Sequence, residues 1–204
     1  MFKTTASEAF EEIAAVGRFA ASRGWVPATS GNFSRRLDER SIAITRSGAD
    51  KGDLAERDIA MISLDEPLPP GVSAEAPLHV ARYKSDASVG AILHVHSVAA
   101  TVLSRLCERE GAVSFDGYEM HKTIEGFATH EHPLRVPVFS NAQDTASLAE
   151  RIEARVLQAD PFPGYLLAGH GIYAWGATMR DARRHLEGLE FLLECQLEEW
   201  RVTR

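Results

Sequence analysis

The sequence predicts a single α/β domain, because segments typical of strands alternate with amphipathic helices. The chain has 204 residues and a hydrophobic fraction of 45%, which is enough for one sizeable core. Residues 41–45 and 91–96 have the pattern of strands, whereas 98–106 and 143–158 have helical spacing. No repeat, low-complexity segment or linker interrupts the chain, so residues 1–204 are predicted to form one domain.

The charge and composition of the chain exclude several classes of partner. A formal net charge of −7 argues against broad binding to nucleic acid or an anionic membrane, but it allows a local positive pocket for a phosphate. No apolar run approaches the ~20 residues that span a bilayer, and the N-terminus is predicted to be an acidic helix rather than a signal peptide. Cys107 and Cys195 lie in helical patterns and are predicted to be buried thiols. A reducing cytoplasm is the simplest compartment for such a chain.

Two histidines at the end of the strand-like run 91–96 form the strongest chemical signal. Side chains alternate along a strand, so His94 and His96 point to one face while Val95 points to the other. Neutral imidazole is a common zinc ligand. Two satisfied core histidines are the alternative, but two imidazoles on one face are harder to satisfy internally than one. The pair therefore favours a metal site, whereas the lone His79, in a predicted helix, is interpreted as a packing or orienting residue.

A third candidate ligand lies at the turn of a predicted hairpin over residues 165–176. His170 stands between Gly169 and Gly171, so backbone or a ligand can approach its imidazole closely. A catalytic zinc usually takes three protein ligands and keeps one position open. His94, His96 and His170 are therefore the predicted ligand set, although three imidazoles also suit other divalent metals.

Two polar turns are candidates for a phosphate pocket. The turn over 28–34 contains glycine and asparagine, which tolerate positive φ and let successive N–H groups converge on an anion. The turn over 46–52 follows a predicted strand and carries two cations. An ordinary β-turn and an exposed basic turn remain the alternatives, and spacing alone does not decide between them. The candidate phosphate-binding residues in these turns are Thr29, Gly31, Asn32, Ser47, Gly48 and Lys51.

Taken in order, the motifs of this chain resemble the class II (zinc-dependent) aldolase/adducin-head family. The resemblance spans essentially the whole chain, and the ordered set is far more specific than any one motif. It implies a three-layer α/β/α fold around a mainly antiparallel sheet, and usually a homotetramer with active sites at subunit interfaces. It also implies one zinc ion on the three histidines and a contribution of Ser73 to the phosphate pocket. The motifs are Thr29-Ser30-Gly31-Asn32, Ser73-Ala74-Glu75, His94-Val95-His96 and Gly169-His170-Gly171.

Further runs resemble a dehydratase branch of this family, which removes water from a sugar phosphate. In those dehydratases the glutamate of a Glu-Met sequence is the proposed acid/base, which corresponds to Glu119. In the aldolases the glutamate of the Ser-x-Glu motif is the base, which corresponds to Glu75. Both carboxylates are present here, so both are candidate catalytic residues. The runs that carry this resemblance are 45–52, 118–122, 137–144 and 170–176.

Three rival activities are compatible with the same family. An aldolase that cleaves a ketose 1-phosphate would share the zinc site, and so would a sugar-phosphate 4-epimerase. A non-catalytic domain of the adducin-head type would tend to lack the three histidines that this chain has. Ala74 occupies the place of a second serine in the fuculose-phosphate aldolases, which weakens the aldolase-style phosphate contact. A dehydratase acting on a small sugar phosphate is therefore the predicted function.

Overall fold

The computed structural model describes residues 3–156 and 162–203. The helices in these ranges are α1 (Ala6–Ser22), α2 (Ala76–Ser85), α3 (Val98–Leu106), α4 (Thr145–Val156) and α5 (Met179–Thr203). The first four strands are β1 (Asn32–Arg36), β2 (Ser41–Thr45), β3 (Ile59–Ser63) and β4 (Ala91–Val95). The other strands are β5 (Ala112–Phe115), β6 (Leu134–Phe139), β7 (Gly164–Leu167) and β8 (Gly171–Gly176). Among the described helices, none combines the length and the apolar character that crossing a membrane requires.

The strands form one mixed sheet in the order β3-β2-β1-β4-β8-β7-β6-β5. Neighbouring strands are antiparallel except β6 and β7. Strand β4 lies in the middle, where His94 is opposite Asn32 of β1 and Tyr173 of β8. The predicted mainly antiparallel α/β sheet is therefore confirmed.

Helices cover both faces of the sheet and produce three layers. Helices α1, α3 and α5 pack on one face, around a core that includes Leu103 and Leu189. Helices α2 and α4 pack on the opposite face, around a second core that includes Leu78. Strand β4 contributes Leu93 to the first core and Ile92 to the second, because its side chains alternate between faces. The three-layer α/β/α architecture agrees with the prediction.

Side-chain caps begin α1, α3, α4 and α5, the last two through Asp144 and Thr178, but α2 begins differently. At α1, Thr5 Oγ1 accepts from the Glu8 N–H at 3.2 Å, and the Glu8 carboxylate accepts from the Thr5 N–H at 2.8 Å. At α3, Ser97 Oγ accepts from the Ala100 N–H at 3.0 Å. Glu75 stands at the N-cap of α2 without making a side-chain cap hydrogen bond. Its carboxylate is therefore available for contacts outside its own helix.

The sequence-based prediction for residues 28–34 is wrong in its second half. Asn32 begins β1, whose backbone pairs with β2 and β4. The turn is confined to the preceding residues, and Ala28, Thr29 and Gly31 have φ of 51°, 65° and 75°. Pairing on both sides satisfies the backbone of β1 and overrides the local turn preference of its polar residues.

Two smaller predictions also need adjustment. Helix α4 covers Thr145–Val156 rather than the predicted 143–158, and residues 157 and 158 lie outside the described ranges. Both cysteines are free; Cys107 is buried, as predicted, but Cys195 is only half-buried. Cys195 lies at the edge of the apolar face of α5, which explains its partial exposure.

A buried ion pair joins α2 to α4 behind the site. Arg82 Nη2 lies 3.3 Å from Glu153 Oε2, with side chains that are 5% and 11% exposed. Burial raises the pKa of the Glu153 carboxyl, and the Arg82 guanidinium opposes that shift. The guanidinium also lies 5.2 Å from the centre of the Trp175 ring. These contacts hold the helix that carries Glu75 against the sheet.

Arg82→Leu should therefore destabilise the protein. The substitution leaves the Glu153 carboxylate without its partner in an apolar layer, so we expect the free energy of unfolding to fall by about 3 kcal/mol. Urea unfolding followed by circular dichroism measures the change. The double variant Arg82→Leu/Glu153→Leu removes both charges and should recover most of the loss. A single variant as stable as the original chain would show that the pair contributes nothing.

Candidate functional site

Three imidazoles and one carboxylate meet at the end of β4. His94 Nε2 lies 2.8 Å from His96 Nε2 and 3.3 Å from Glu75 Oε2. His170 Nε2 lies 2.8 Å from Glu75 Oε1. One ligand atom from each of the four residues lies within 4.8 Å of the others. The structure thus brings together the three histidines named from the sequence and one of the two candidate carboxylates.

Contacts with β8 fix the orientation of the His94 ring and the position of its proton. His94 is fully buried, and its ring stacks on Tyr173 of β8 at 4.0 Å between centres and 12° between planes. Its Nδ1 lies 3.0 Å from the Ile172 carbonyl oxygen. A carbonyl only accepts, so Nδ1 carries the proton and Nε2 presents its lone pair to the cluster. The neighbouring strand therefore sets the tautomer that a metal ligand needs.

His170 reaches the cluster because the β7–β8 turn lies directly against β4. A Cβ added at Gly171 would collide with the Val95 carbonyl oxygen, so no side chain fits there. The Thr101 hydroxyl of α3 donates to the His170 carbonyl oxygen at 2.9 Å. The close approach expected beside His170 is thus observed: the backbone at Gly171 lies against the backbone of β4.

Glu75 enters the cluster from the N-terminus of α2. The Asn32 side-chain amide donates to its Oε2 at 2.5 Å. Burial by itself favours the neutral acid, but His94, His170 and Asn32 together hold the pKa of the Glu75 carboxyl well below its usual range. Glu75 therefore places a negatively charged carboxylate beside the three imidazoles.

This donor set fits a divalent metal ion. Burial lowers the pKa of His96 to about 4 and also lowers the pKa of His94, so both rings are in the neutral form that binds metals. The two Nε2 atoms face each other, and a cation between them and the Glu75 oxygens would satisfy every lone pair at once. Imidazole and carboxylate ligands suit zinc and neighbouring first-row ions. The cluster is able to hold such an ion.

Both predicted phosphate turns lie beside the cluster, in a polar cavity of about 280 Å³. Glu75, His96 and His170 line the same cavity. Larger cavities of about 690 and 700 Å³ elsewhere on the described surface contain none of these residues. The cavity next to the cluster is therefore the candidate substrate site. The sequence-predicted phosphate residues that line it are Thr29, Gly31, Asn32, Ser47, Gly48, Lys51 and Ser73.

Lys51 holds the two turns together. The side chain is buried, and its Nζ donates to the carbonyl oxygens of Thr29 at 2.7 Å and Ala49 at 2.6 Å. Burial lowers the pKa of the Lys51 ammonium. Lys51 was predicted as a cation for the phosphate; the structure shows that two of its three donors are used between the turns, which leaves one donor for a ligand.

Glu119 lies outside this cluster in the described chain. It begins a 3₁₀ turn over Glu119–Thr123, and its side chain is 66% exposed. Its carboxylate lies 2.6 Å from Lys122 Nζ and 2.8 Å from His130 Nδ1. The hydrogen bond from Lys122 lowers the pKa of Glu119. Of the two candidate carboxylates, only Glu75 contacts the histidines of the cluster in the described chain.

Sequence reasoning missed three residues that complete the cavity. Asn141, Gln143 and Thr145 line it between β6 and α4, and Thr145 Oγ1 donates to the Ala74 carbonyl oxygen at 2.9 Å. The run 137–144 had been singled out for its resemblance to the dehydratase branch. That run contains Asn141 and Gln143 and so pointed to this region. It has no metal-ligand or phosphate-turn pattern, so it could not assign a role to either side chain.

The fold and the cluster agree with comparison to known families. The sequence profile of the class described as "Class II Aldolase and Adducin N-terminal domain" matches residues 11–197. The chain belongs to this family, as its motifs predicted.

The curated relatives are named as dehydratases, whereas a solved structure with the same fold is named as an aldolase. Methylthioribulose-1-phosphate dehydratase from Parvibaculum lavamentivorans is 47% identical over 193 residues, which cover 95% of each chain. The dehydratase of the same name from Marinobacter nauticus is 46% identical over 208 residues, which cover 100% of each chain. A crystal structure of L-fuculose-1-phosphate aldolase from Thermus thermophilus aligns with a TM-score of 0.77 at 23% identity, over 98% of each chain. The aldolase shares the fold, whereas the sequence is much closer to the dehydratases.

Gly171→Ala should weaken metal binding. The added methyl group meets the Val95 carbonyl and displaces the turn that carries His170, so we expect the affinity for Zn²⁺ to fall at least about 10-fold. Competition with a chromophoric chelator measures this affinity. Gly176→Ala is the matched control, because its Cβ would lie 2.5 Å from the Ala182 nitrogen at the far end of β8, away from the cluster. Equal losses of affinity in both variants would contradict a specific role for Gly171.

Proposed function

We propose that this protein is a zinc-dependent methylthioribulose-1-phosphate dehydratase. It would remove water from 5-methylthioribulose 1-phosphate to give 2,3-diketo-5-methylthiopentyl 1-phosphate, a step of methionine salvage. The main observation behind this proposal is that a cluster of four candidate ligands and the two predicted phosphate-binding turns lie at one small cavity. Relatives that match the chain over nearly their whole length and carry this name support the choice of substrate.

The reaction needs a base, an acid and a polarised carbonyl. The C3–H bond breaks and its electron pair forms a C3=C4 double bond as the C4 hydroxyl leaves, protonated, as water. The enol then takes up a proton at C4 and becomes the second ketone. Zinc held by His94, His96 and His170 would supply a Lewis acid for the C2 carbonyl and so acidify the C3 proton. The residues of this chain must hold the substrate and move the protons.

The two turns fit the phosphate end of the substrate. Ser47, Ser73 and Thr29 offer hydroxyl groups to the cavity, and Gly31 and Gly48 have positive φ, which exposes backbone N–H groups. Lys51 supplies a positive charge between the turns. Held at this end, the substrate would extend toward the histidines, so that its reacting carbons lie beside the cluster.

Glu75 and Glu119 can divide the proton transfers between them. Glu75 lies beside His94 and His170, so we assign its carboxylate as the base for the C3 proton. Glu119 is exposed and paired with Lys122 and His130. We assign Glu119 to the C4 hydroxyl, where it would shuttle the proton that lets water leave.

A homotetramer would explain how Glu119 reaches a reacting substrate. Its exposure, and its absence from the cluster of its own subunit, are what a residue donated to a neighbouring active site would show. Helix α3, which follows the metal-site strand, exposes the apolar side chains of Val98 and Leu106 by 69% and 47%. We therefore include in the proposal active sites at subunit interfaces, in a cytoplasmic enzyme.

The reaction is tested by incubating the zinc-loaded protein with 5-methylthioribulose 1-phosphate and analysing the products by mass spectrometry. The expected product is lighter by one water and keeps both sulfur and phosphorus. Release of dihydroxyacetone phosphate would instead establish an aldolase, which is the activity of the structural neighbour. Unchanged substrate, with zinc confirmed as bound, would overturn the proposal.

Glu119→Gln should lose turnover but keep zinc and substrate binding. Loss of a positioned acid/base typically costs about 10²–10⁴-fold in rate, so kcat should fall by that factor while KM changes little. Steady-state kinetics and zinc titration measure the two effects. Glu131→Gln, an exposed carboxylate on the same loop, is the control and should be fully active.

Mixed oligomers test whether Glu119 acts across an interface. His96→Ala and Glu119→Gln subunits are each expected to be inactive alone. If Glu119 serves a neighbouring site, subunits mixed after reversible dissociation should recover activity, because some sites then combine an intact cluster with an intact Glu119. If verified mixed oligomers do not recover activity, Glu119 does not act in the active site of a neighbouring subunit.

A further inference from the structure

A chain of buried polar side chains leads from the second core to the Glu75 carboxylate. The hydroxyl of Tyr83 lies 2.9 Å from Ser34 Oγ, which lies 2.7 Å from His79 Nδ1. On the other side of the imidazole, His79 Nε2 lies 2.5 Å from Asn32 Oδ1. The Asn32 amide then donates to Glu75. His79 therefore stands at the middle of an unbroken connection between α2, β1 and the metal cluster.

The orientation of the Asn32 amide determines the direction of the other hydrogen bonds in this chain. Asn32 turns its NH₂ group toward Glu75 Oε2 and its oxygen toward His79 Nε2, and an amide oxygen only accepts. His79 must then carry its proton on Nε2 and accept from the Ser34 hydroxyl at Nδ1. Burial lowers the pKa of His79 to about 4, so the ring is neutral and has one proton to place.

The opposite arrangement is unfavourable at Glu75. With its proton on Nδ1, His79 would accept at Nε2 from the NH₂ group of Asn32. The amide oxygen of Asn32 would then face the carboxylate, and two acceptors would meet without a proton between them. The tautomer of His79 and the orientation of the Asn32 amide are thus coupled.

Burial leaves no alternative partner for these groups. His79 and Ser34 are fully buried, and Asn32 and Tyr83 are each 2% exposed. Water therefore cannot replace a missing donor without a rearrangement of the core. The His79 ring also lies 5.8 Å, edge to face, from Tyr173, the residue that stacks on a metal-site histidine.

We propose that His79 is a positioning residue for the metal site. By donating its Nε2 proton to Asn32, it holds the amide with the NH₂ group toward Glu75 and keeps the carboxylate beside the three histidines. It contacts neither the metal ligands nor the substrate cavity, so its influence passes through Asn32. Its expected effect on turnover rests on the proposed dehydratase function, but its effect on metal affinity does not.

Four variants separate hydrogen bonding from packing. His79→Phe keeps an aromatic ring but cannot donate to Asn32. His79→Gln can donate to Asn32 and accept from Ser34 through one amide. Tyr83→Phe removes the hydroxyl at the far end and leaves the His79–Asn32 contact intact. His79→Met is a second non-donating side chain, flexible enough for the site if the larger ring is not accommodated.

Zinc affinity by chelator competition is measured without substrate, and kcat and KM are measured with it. For His79→Phe, or Met, we expect about 10- to 100-fold losses in zinc affinity and kcat, as for other residues that orient metal ligands, with little change in KM. His79→Gln should recover most of both losses, and Tyr83→Phe should resemble the original chain. Thermal unfolding confirms that each variant is folded.

Two results would overturn the proposal. One is a folded, non-donating variant with unchanged zinc affinity and kcat. The other is an equal loss for His79→Gln and His79→Phe, which would indicate packing rather than donation. If the original protein does not dehydrate the substrate, the proposed function fails, yet the zinc affinities of the same variants still decide the role of His79.

Discussion

The attraction of one buried carboxylate and three imidazoles for a single cation is the interaction on which the site depends. Glu75 forgoes the usual capping role at the start of its helix and directs both oxygens to the histidines. A charge this buried persists only because Asn32 and the imidazoles surround it. The contacts that hold α2 on the sheet, including its buried ion pair with α4, therefore also position the Glu75 carboxylate at the site.

The order of the strands defines the geometry of the cluster. Strands β1, β4 and β8 are neighbours in the middle of the sheet, and each brings one part of the cluster or its support. Close approach requires glycine at two points: a Cβ at Gly31 would lie 2.6 Å from the His94 carbonyl oxygen, and one at Gly171 would be closer still to β4. The cluster is thus formed where backbone segments pass each other nearly in contact, which leaves its side chains little freedom.

The metal cluster alone does not distinguish the reactions of this family. A Lewis acid beside a ketose phosphate serves cleavage as well as dehydration, because both begin by stabilising negative charge next to a carbonyl. What differs is the group that receives or supplies the next proton. In this chain Glu119 and its partners Lys122 and His130 lie on an exposed turn, apart from the rigid geometry of the sheet. We therefore propose that the residue that distinguishes dehydration lies on a loop, whereas the ligand cluster lies where strands and helices begin or end.

The sequence by itself determined the features that depend on neighbouring residues. The period of two along β4 placed His94 and His96 on one face, and local hydrogen bonding placed the caps at Thr5 and Ser97. Only the tertiary structure decided that Asn32 lies in a strand, that Lys51 is buried between two turns, and that Glu75 rather than Glu119 contacts the histidines of the cluster. These outcomes depend on which strands pair and on which groups lose their water together. Both are properties of contacts between distant segments, so no local pattern records them.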